Sequence, residues 1–276
     1  MAISLDSQLT VTAPVDLSSY DSRATTGFDG SKAAGKKALE DLGDELGELQ
    51  EKLFAEGRSG GSRRVLLVLQ GMDTSGKGGI VRNVAGLVDP QGLAITSFKK
   101  PTPEELSHDF LWRVEKALPA PGMIGIFDRS HYEDVLIGKV RHLADDREIE
   151  RRYAAINELE TAFVASGGVL LKCFLHITAD DQRDRLEARL DDPTKHWKYN
   201  PGDIDERELW DAYQGAYTVA IARCSDVPWH LVPSGRKWYR NWAVATLLLE
   251  QLRAMDLQWP AADFDVEAEK ARLASS

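Results

Sequence analysis

The sequence predicts an α/β protein in which a parallel sheet lies between two layers of helices. Apolar runs at 64–70, 94–98, 123–127, 169–177 and 229–232 have the length and composition of buried strands. Helical patterns separate them at about 78–88, 103–117, 131–142, 146–166, 179–191 and 205–223, and a last one follows at 239–254. Strands that alternate with helices are joined by crossovers, which cover a parallel sheet on both faces. Five strands are expected, and 276 residues at 43% hydrophobic content suffice for such a core.

Residues 1–30 are rich in Ser, Thr and Asp and show no periodicity, so an extended or disordered arm is expected there. Leu39, Leu42, Leu46, Leu49 and Leu53 then recur at spacings of three and four, which predicts a helix over 32–55. The glycine-rich GRSGGS at 57–62 ends it and leads into the first strand. One domain over 31–260 follows, with 261–276 as a tail. The apolar runs are far too short to span a membrane, no secretory pattern opens the chain, and two cysteines suit a reducing compartment, so the cytoplasm is expected. A net charge of −10 argues against broad nucleic-acid binding. Residues 60–101 nevertheless hold six Lys or Arg against two acids, which points to a confined polyanion.

VLLVLQGMDTSGKGGIV, residues 65–81, places a glycine-rich loop between a strand and a helix. Gly71 to Lys77 fit G-x-x-x-x-G-K, the Walker A pattern of a phosphate cradle. Gly71, Gly76, Gly78 and Gly79 let the backbone curl round oxygen atoms, and Lys77 adds a full charge. Gly78 stands where such loops carry a Ser or Thr for magnesium. Asp73 is the one carboxylate inside the loop and the candidate to replace that hydroxyl, although an Asp in a glycine-rich turn also serves as a turn former. MIGIFDRSHYEDV, residues 123–135, is an apolar strand ending in Asp128, the form of a Walker B metal-holding aspartate; read alone, Asp128 caps the next helix equally well. Arg129 is placed to touch the same phosphates, and Glu133 and Asp134 read as first-turn acids.

DQRDRLEARLDDPTKHWKYNPGD, residues 181–203, reads as a basic lid: Arg185 and Arg189 share a helix face, and Lys195 and Lys198 follow the turn at Asp192-Pro193. Charge alone does not decide this, because residues 181–198 hold five acids and five bases and suit a solvated helix as well. Lys99, Lys100 and Arg113 lie near a strand end and, with Glu133 and Lys237, are candidates for an acceptor nucleotide. Lys237, with Arg236 and Arg240, follows the last strand at the same sheet edge. No His/Cys cluster has zinc spacing.

GMDTSGKGG, FDRSHYED and RLEARLDDPTKHWKYNPGD, in this order, resemble the family-2 polyphosphate kinases from about residue 30 to about 260. KKPTPEELSHDFLWR together with SHYEDV is most similar to the class III branch, which phosphorylates AMP as well as ADP. The resemblance implies a three-layer αβα P-loop kinase fold like that of thymidylate kinase, with a helical lid over about 180–207. It also implies inorganic polyphosphate as phosphoryl donor, Mg2+ (with Mn2+ as the alternative ion) and assembly into dimers or tetramers. Asp73, Lys77, Asp128 and Arg129 match its essential positions, and Arg185, Arg189, Lys195 and Lys198 its basic lid. Gly78 is itself the family pattern. Two rival readings share these features: an ATP-dependent nucleoside monophosphate kinase, and a binding module that holds polyphosphate or nucleotide without catalysis.

Overall fold

The computed structural model describes residues 3–11 and 14–276. The N-terminal part comprises α1 (Leu5–Leu9), β1 (Thr10–Val11), α2 (Lys32–Asp41) and α3 (Gly43–Arg58). The first half of the sheet region comprises β2 (Arg64–Gln70), α4 (Lys77–Asn83), β3 (Leu93–Ser97), α5 (Pro103–Leu106), α6 (Trp112–Ala117), β4 (Ile124–Asp128), α7 (Glu133–Val140) and α8 (Asp146–Ala165). The second half continues with β5 (Gly168–His176), α9 (Ala179–Leu190), α10 (Gly202–Glu208), α11 (Trp210–Arg223), β6 (Trp229–Pro233), α12 (Lys237–Ala254) and α13 (Val266–Ala274).

The sheet order is β1-β6-β5-β2-β4-β3. The five expected strands, β2 to β6, are all mutually parallel. Among the described residues the expected strand count is corrected to six, because β1 adds an antiparallel edge: Thr10 lies opposite His230 and Val11 opposite Trp229. A two-residue strand has no period to read in sequence. It forms here beside β6, whose outer N–H and C=O groups would otherwise be unpaired. The helix expected over 32–55 is two helices meeting at Leu42, whose Leu46 and Leu53 enter the core.

β2 explains the apolar runs. Val65, Leu67 and Leu69 face one core, with Leu46, Ile80 and Leu248, while Leu66 and Val68 face the other, with Phe127, Phe174 and Tyr217. Both faces are covered, so the strand carries no polar alternation. Leu69 pairs with Asp128 on one side and Cys173 on the other, which brings the ends of β2 and β4 to one edge of the sheet. Residues 20–35 pack against the same end of the molecule. Phe28 meets Trp238 and Trp242 edge-on at 5.4 and 4.8 Å, and a Cβ at Gly35 would lie 2.1 Å from the Trp238 ring. Tyr20 O accepts from the His176 ring at 3.0 Å, and Ser22 and Arg23 donate to Asp181 at 2.6 and 2.7 Å.

One polar network is enclosed in this core. Lys172 Nζ donates to Glu160 Oε2 (2.6 Å), Tyr132 Oη (3.0 Å) and Cys224 O (2.9 Å), while Glu160 Oε1 accepts from Tyr132 Oη (2.6 Å) and lies 3.1 Å from His131 Nε2. Burial drives the Lys172 pKa down. It also opposes ionisation of Glu160, but His131 and Lys172 hold that carboxyl below its ordinary value. At 2.6 Å the two groups depend on each other for a partner. Lys172→Met alone should lower the unfolding free energy by about 3–5 kcal/mol, because it leaves a buried carboxylate unpaired. The double variant Lys172→Met, Glu160→Gln should recover much of that loss. Urea unfolding of the two proteins checks it, and a double variant no better than the single one contradicts it.

Candidate active site

The loop after β2 curls through left-handed backbone at Gly71 (φ 146°), Thr74 (φ 67°) and Gly76 (φ 113°). Thr74 and Arg129 (φ 65°) are two of the four non-glycine residues with positive φ among the described residues, and both lie at this loop. Strain of that kind persists only where the surroundings fix it. Here they do. Lys77 Nζ donates to Gly71 O (2.7 Å) and Gln182 Nε2 to Asp73 O (3.2 Å). Arg185 Nη1 donates to Thr74 O (2.7 Å) and Ser75 O (3.1 Å), and Arg240 Nη1 also reaches Ser75 O (3.1 Å). Among the described residues no protein acceptor takes the N–H of Asp73, Thr74 or Gly76.

The second motif meets the loop through strand register. Asp128 ends β4 beside Leu69, and Arg129 N–H donates to Leu69 O at 3.2 Å. Arg129 Nη2 then binds Asp73 Oδ1 at 2.7 Å, and its Nη1 lies 4.0 Å from Glu133 Oε2. The amide of Gln70 fits between Glu133 and Ser130; in the orientation that satisfies both ends it donates to Glu133 Oε1 and accepts from Ser130 N–H, each at 3.1 Å. Asp128, by contrast, is half-buried and, among the described residues, has no hydrogen-bond or ion-pair partner for its carboxylate.

Gly71, Asp73, Lys77, Arg129 and Glu133 line one cavity of ≈ 280 Å³ together with Asn200, Asp203, Glu206, Tyr213 and Tyr217. Burial would raise the Asp73 carboxyl, but Lys77 and Arg129 hold it below its ordinary value. Burial lowers the Lys77 ammonium despite Asp73 beside it, and raises Glu133 despite Arg129 and Lys77. The cavity lining thus sets Asp73, Glu133, Asp203 and Glu206 against Lys77 and Arg129, a charge balance that a bound ion would shift.

The other expected site residues lie elsewhere. Arg113 is paired with Asp134 (3.3 Å) and donates to Lys99 O (2.9 Å); it lines a separate hollow of ≈ 220 Å³ with Arg151 and Arg152. Lys99, Lys100 and Lys237 are exposed. Lys195 is paired with Asp192 (2.6 Å) and Lys198 lies 4.9 Å over the Trp197 ring, so neither lines the cavity. Arg189 donates to Lys198 O (3.1 Å) and Asp203 Oδ2 (3.3 Å), tying α9 to α10. Arg185 differs from a free lid cation: besides the loop, its Nη2 donates to the carbonyls of Ser234 and Gly235, which makes it a brace between the loop and the end of β6. Gly78 has open space where a Cβ would go, so no clash excludes a hydroxyl there.

Residues 29–260 match the family model described as Polyphosphate kinase 2. The chain belongs to this family. It is 44% identical over 247 residues to an AMP/ADP-polyphosphate phosphotransferase of Meiothermus ruber, covering 89% of this chain and 91% of that one. It is 36% identical over 260 residues to an ADP-polyphosphate phosphotransferase of Rhodopseudomonas palustris, covering 89% and 88%. The crystal structure of polyphosphate kinase 2 from Arthrobacter aurescens superposes with a TM-score of 0.97 at 53% identity, over 100% of this chain and 98% of that one. The fold is accordingly the three-layer αβα P-loop kinase fold, with the sheet mostly parallel.

Several residues of the cavity and loop were not among the sequence-based candidates. Tyr213 and Tyr217 sit four apart on one face of α11, but a tyrosine pair at helical spacing reads as core. Gln182 reaches the loop from a distant element with no spacing in the chain to announce it, and Arg240, placed at the sheet edge from sequence, proves to touch the loop itself.

Arg185 and Arg189 should separate in their effects on stability. Arg185→Ala strips donors from Thr74, Ser75, Ser234 and Gly235 and should cost about 2 kcal/mol, the scale of hydrogen bonds from a charged donor. Arg189→Ala removes the Asp203 pair and the bond to Lys198 O and should cost less than about 1 kcal/mol. Thermal and urea unfolding of the two variants decides it; equal losses contradict the bracing role.

Proposed function

We propose that this protein transfers a phosphoryl group from inorganic polyphosphate to AMP and ADP, giving ADP and ATP reversibly. The carrying observation is the loop: its carbonyls are taken by protein donors, while the amides of Asp73, Thr74 and Gly76 have no protein acceptor beside Lys77. That is a receptor for phosphate oxygens. Its close relatives, covered over about nine tenths of their length, are polyphosphate phosphotransferases for AMP/ADP or for ADP, and this supports both the donor and the acceptors. Likeness to the AMP/ADP enzyme favours the class III reading. Phosphate acceptors are already ionised, so no strong base is required; the site has to hold two anions in line and reduce their repulsion. Lys77 and Arg129 supply charge for this.

Magnesium, with manganese as the alternative, fits the residues present. Among the described residues no three His, Cys, Asp or Glu side chains form a protein-only metal site. Magnesium commonly takes one or two carboxylates and completes its shell with phosphate oxygens and water. Asp128, with its unengaged carboxylate, would hold it, together with the second oxygen of Asp73 directly or through water. The ion, when bound, screens the charge between donor and acceptor phosphates. Among the described residues no helix is long and apolar enough to cross a membrane, and Cys173 and Cys224 are free and buried, which agrees with a cytoplasmic site of action. We also propose that the chain works as a homo-oligomer, dimer or tetramer, which light scattering of the purified protein tests.

Incubating the protein with magnesium, polyphosphate and AMP, then separating nucleotides, should yield ADP and ATP. Product only with ATP as donor would make it a monophosphate kinase; polyphosphate binding without product would make it a sensor. Lys77→Ala and Asp128→Asn should each reduce transfer by at least roughly 10²-fold while the fold persists by circular dichroism. If Asp73 takes the place of the missing hydroxyl, Asp73→Ala should shift the magnesium titration as well as the rate. An unchanged titration would leave it a loop-shaping residue only.

A further inference from the structure

Arg240, in the first turn of α12, is only 3% exposed. Its guanidinium donates to Ser75 O at 3.1 Å and to Asn241 Oδ1 at 2.8 Å from Nη2 and 3.2 Å from Nε. Among the described residues it forms no ion pair with a carboxylate. Two glycines of the phosphate loop are shaped around it. A Cβ at Gly76 would lie 1.5 Å from Nη1 and a Cβ at Gly79 2.5 Å from Nη2. The charges near it have the same sign. Burial and then Arg185 press the Arg240 pKa down to about 9.

A buried guanidinium without a carboxylate destabilises the protein that holds it, and an apolar side chain of similar length would fill the same space at less cost. Ser75 O does not require it, because Arg185 already donates there. Its charge lies directly behind the loop that receives phosphate. We propose that Arg240 is a positioning residue whose counter-ion is the bound phosphate chain: it sets the loop through Ser75, Gly76 and Gly79, and it supplies unneutralised positive charge one peptide layer from the ligand. The inference rests on the phosphoryl-transfer reading above and adds a trade of resting stability for attraction to the polyanion.

The test compares full-length wild type, Arg240→Met and Arg240→Lys. Melting temperature is measured with and without linear sodium polyphosphate, and KM and kcat are measured for polyphosphate with AMP at low and high salt. Arg240→Met should melt no lower than wild type without ligand, lose most of the polyphosphate-induced rise, and show a KM for polyphosphate raised roughly tenfold with a weaker salt dependence. Arg240→Lys keeps the charge but not the fork; it should hold KM within about threefold and lose mainly kcat. A Met variant that is less stable without ligand yet binds polyphosphate as wild type does overturns the proposal. Should the Met variant fail to fold, the Lys variant decides: a folded Lys variant that has lost the polyphosphate-induced rise also overturns it. A wild type that polyphosphate stabilises but that makes no ADP overturns the transfer reading, while the melting shifts still judge Arg240.

Discussion

A backbone that offers its N–H groups to an anion must find partners for its own carbonyls, and the rest of the site depends on that constraint. From Gly71 to Ser75 every carbonyl has a donor: Lys77 for Gly71, the Ser75 amide for Met72, Gln182 for Asp73, Arg185 for Thr74, and Arg185 with Arg240 for Ser75. Apart from the loop's own Ser75 amide these donors come from α4 and α9, with Arg240 of α12 a second donor to Ser75 O, so the helices must dock before the loop has its shape. Left-handed backbone at Thr74 is tolerated because the carbonyl on that residue is held by a guanidinium.

The same arrangement shows how an acidic chain can receive a polyanion. Net charge acts at long range and is screened within about 10 Å, whereas a loop, a buried lysine and buried arginines act at contact. The cavity also contains Asp73, Glu133, Asp203 and Glu206. Asp73 and Glu133 flank Arg129, at 2.7 and 4.0 Å, while Asp203 pairs with Arg189 and Glu206 with Arg141. Glu133, whose carboxyl burial pushes upward, lies at the point where added positive charge would favour its ionised form.

The N-terminal arm belongs to this structure more closely than its composition implies. Asp181 caps its own helix through Thr178 and also receives Ser22 and Arg23, so the base of α9 is fastened to a segment that sequence reading assigns to an extended arm. Gly235 N–H donates to Ser22 O at 2.7 Å, next to the carbonyl that Arg185 holds. Arm, α9 and the end of β6 therefore meet at the back of the phosphate loop.

The five parallel strands were legible because burial on both faces leaves unbroken apolar runs, and the loop was legible because glycine and lysine at fixed spacing have few other uses. Asp128 could be placed beside the loop from strand parity alone, since parallel strands end at one edge. β1 was not legible, because pairing with β6 and not any local pattern makes it a strand. Nor was the work of Arg185: a helix with alternating charges looks the same whether its arginine faces solvent or grips four carbonyls. The sequence by itself indicated the five parallel strands and the candidate residues for phosphate chemistry, since both follow from local composition and spacing. Only the tertiary structure decided which cations face the ligand and which hold the loop, because hydrogen bonds between residues far apart in the chain leave no periodic trace in it.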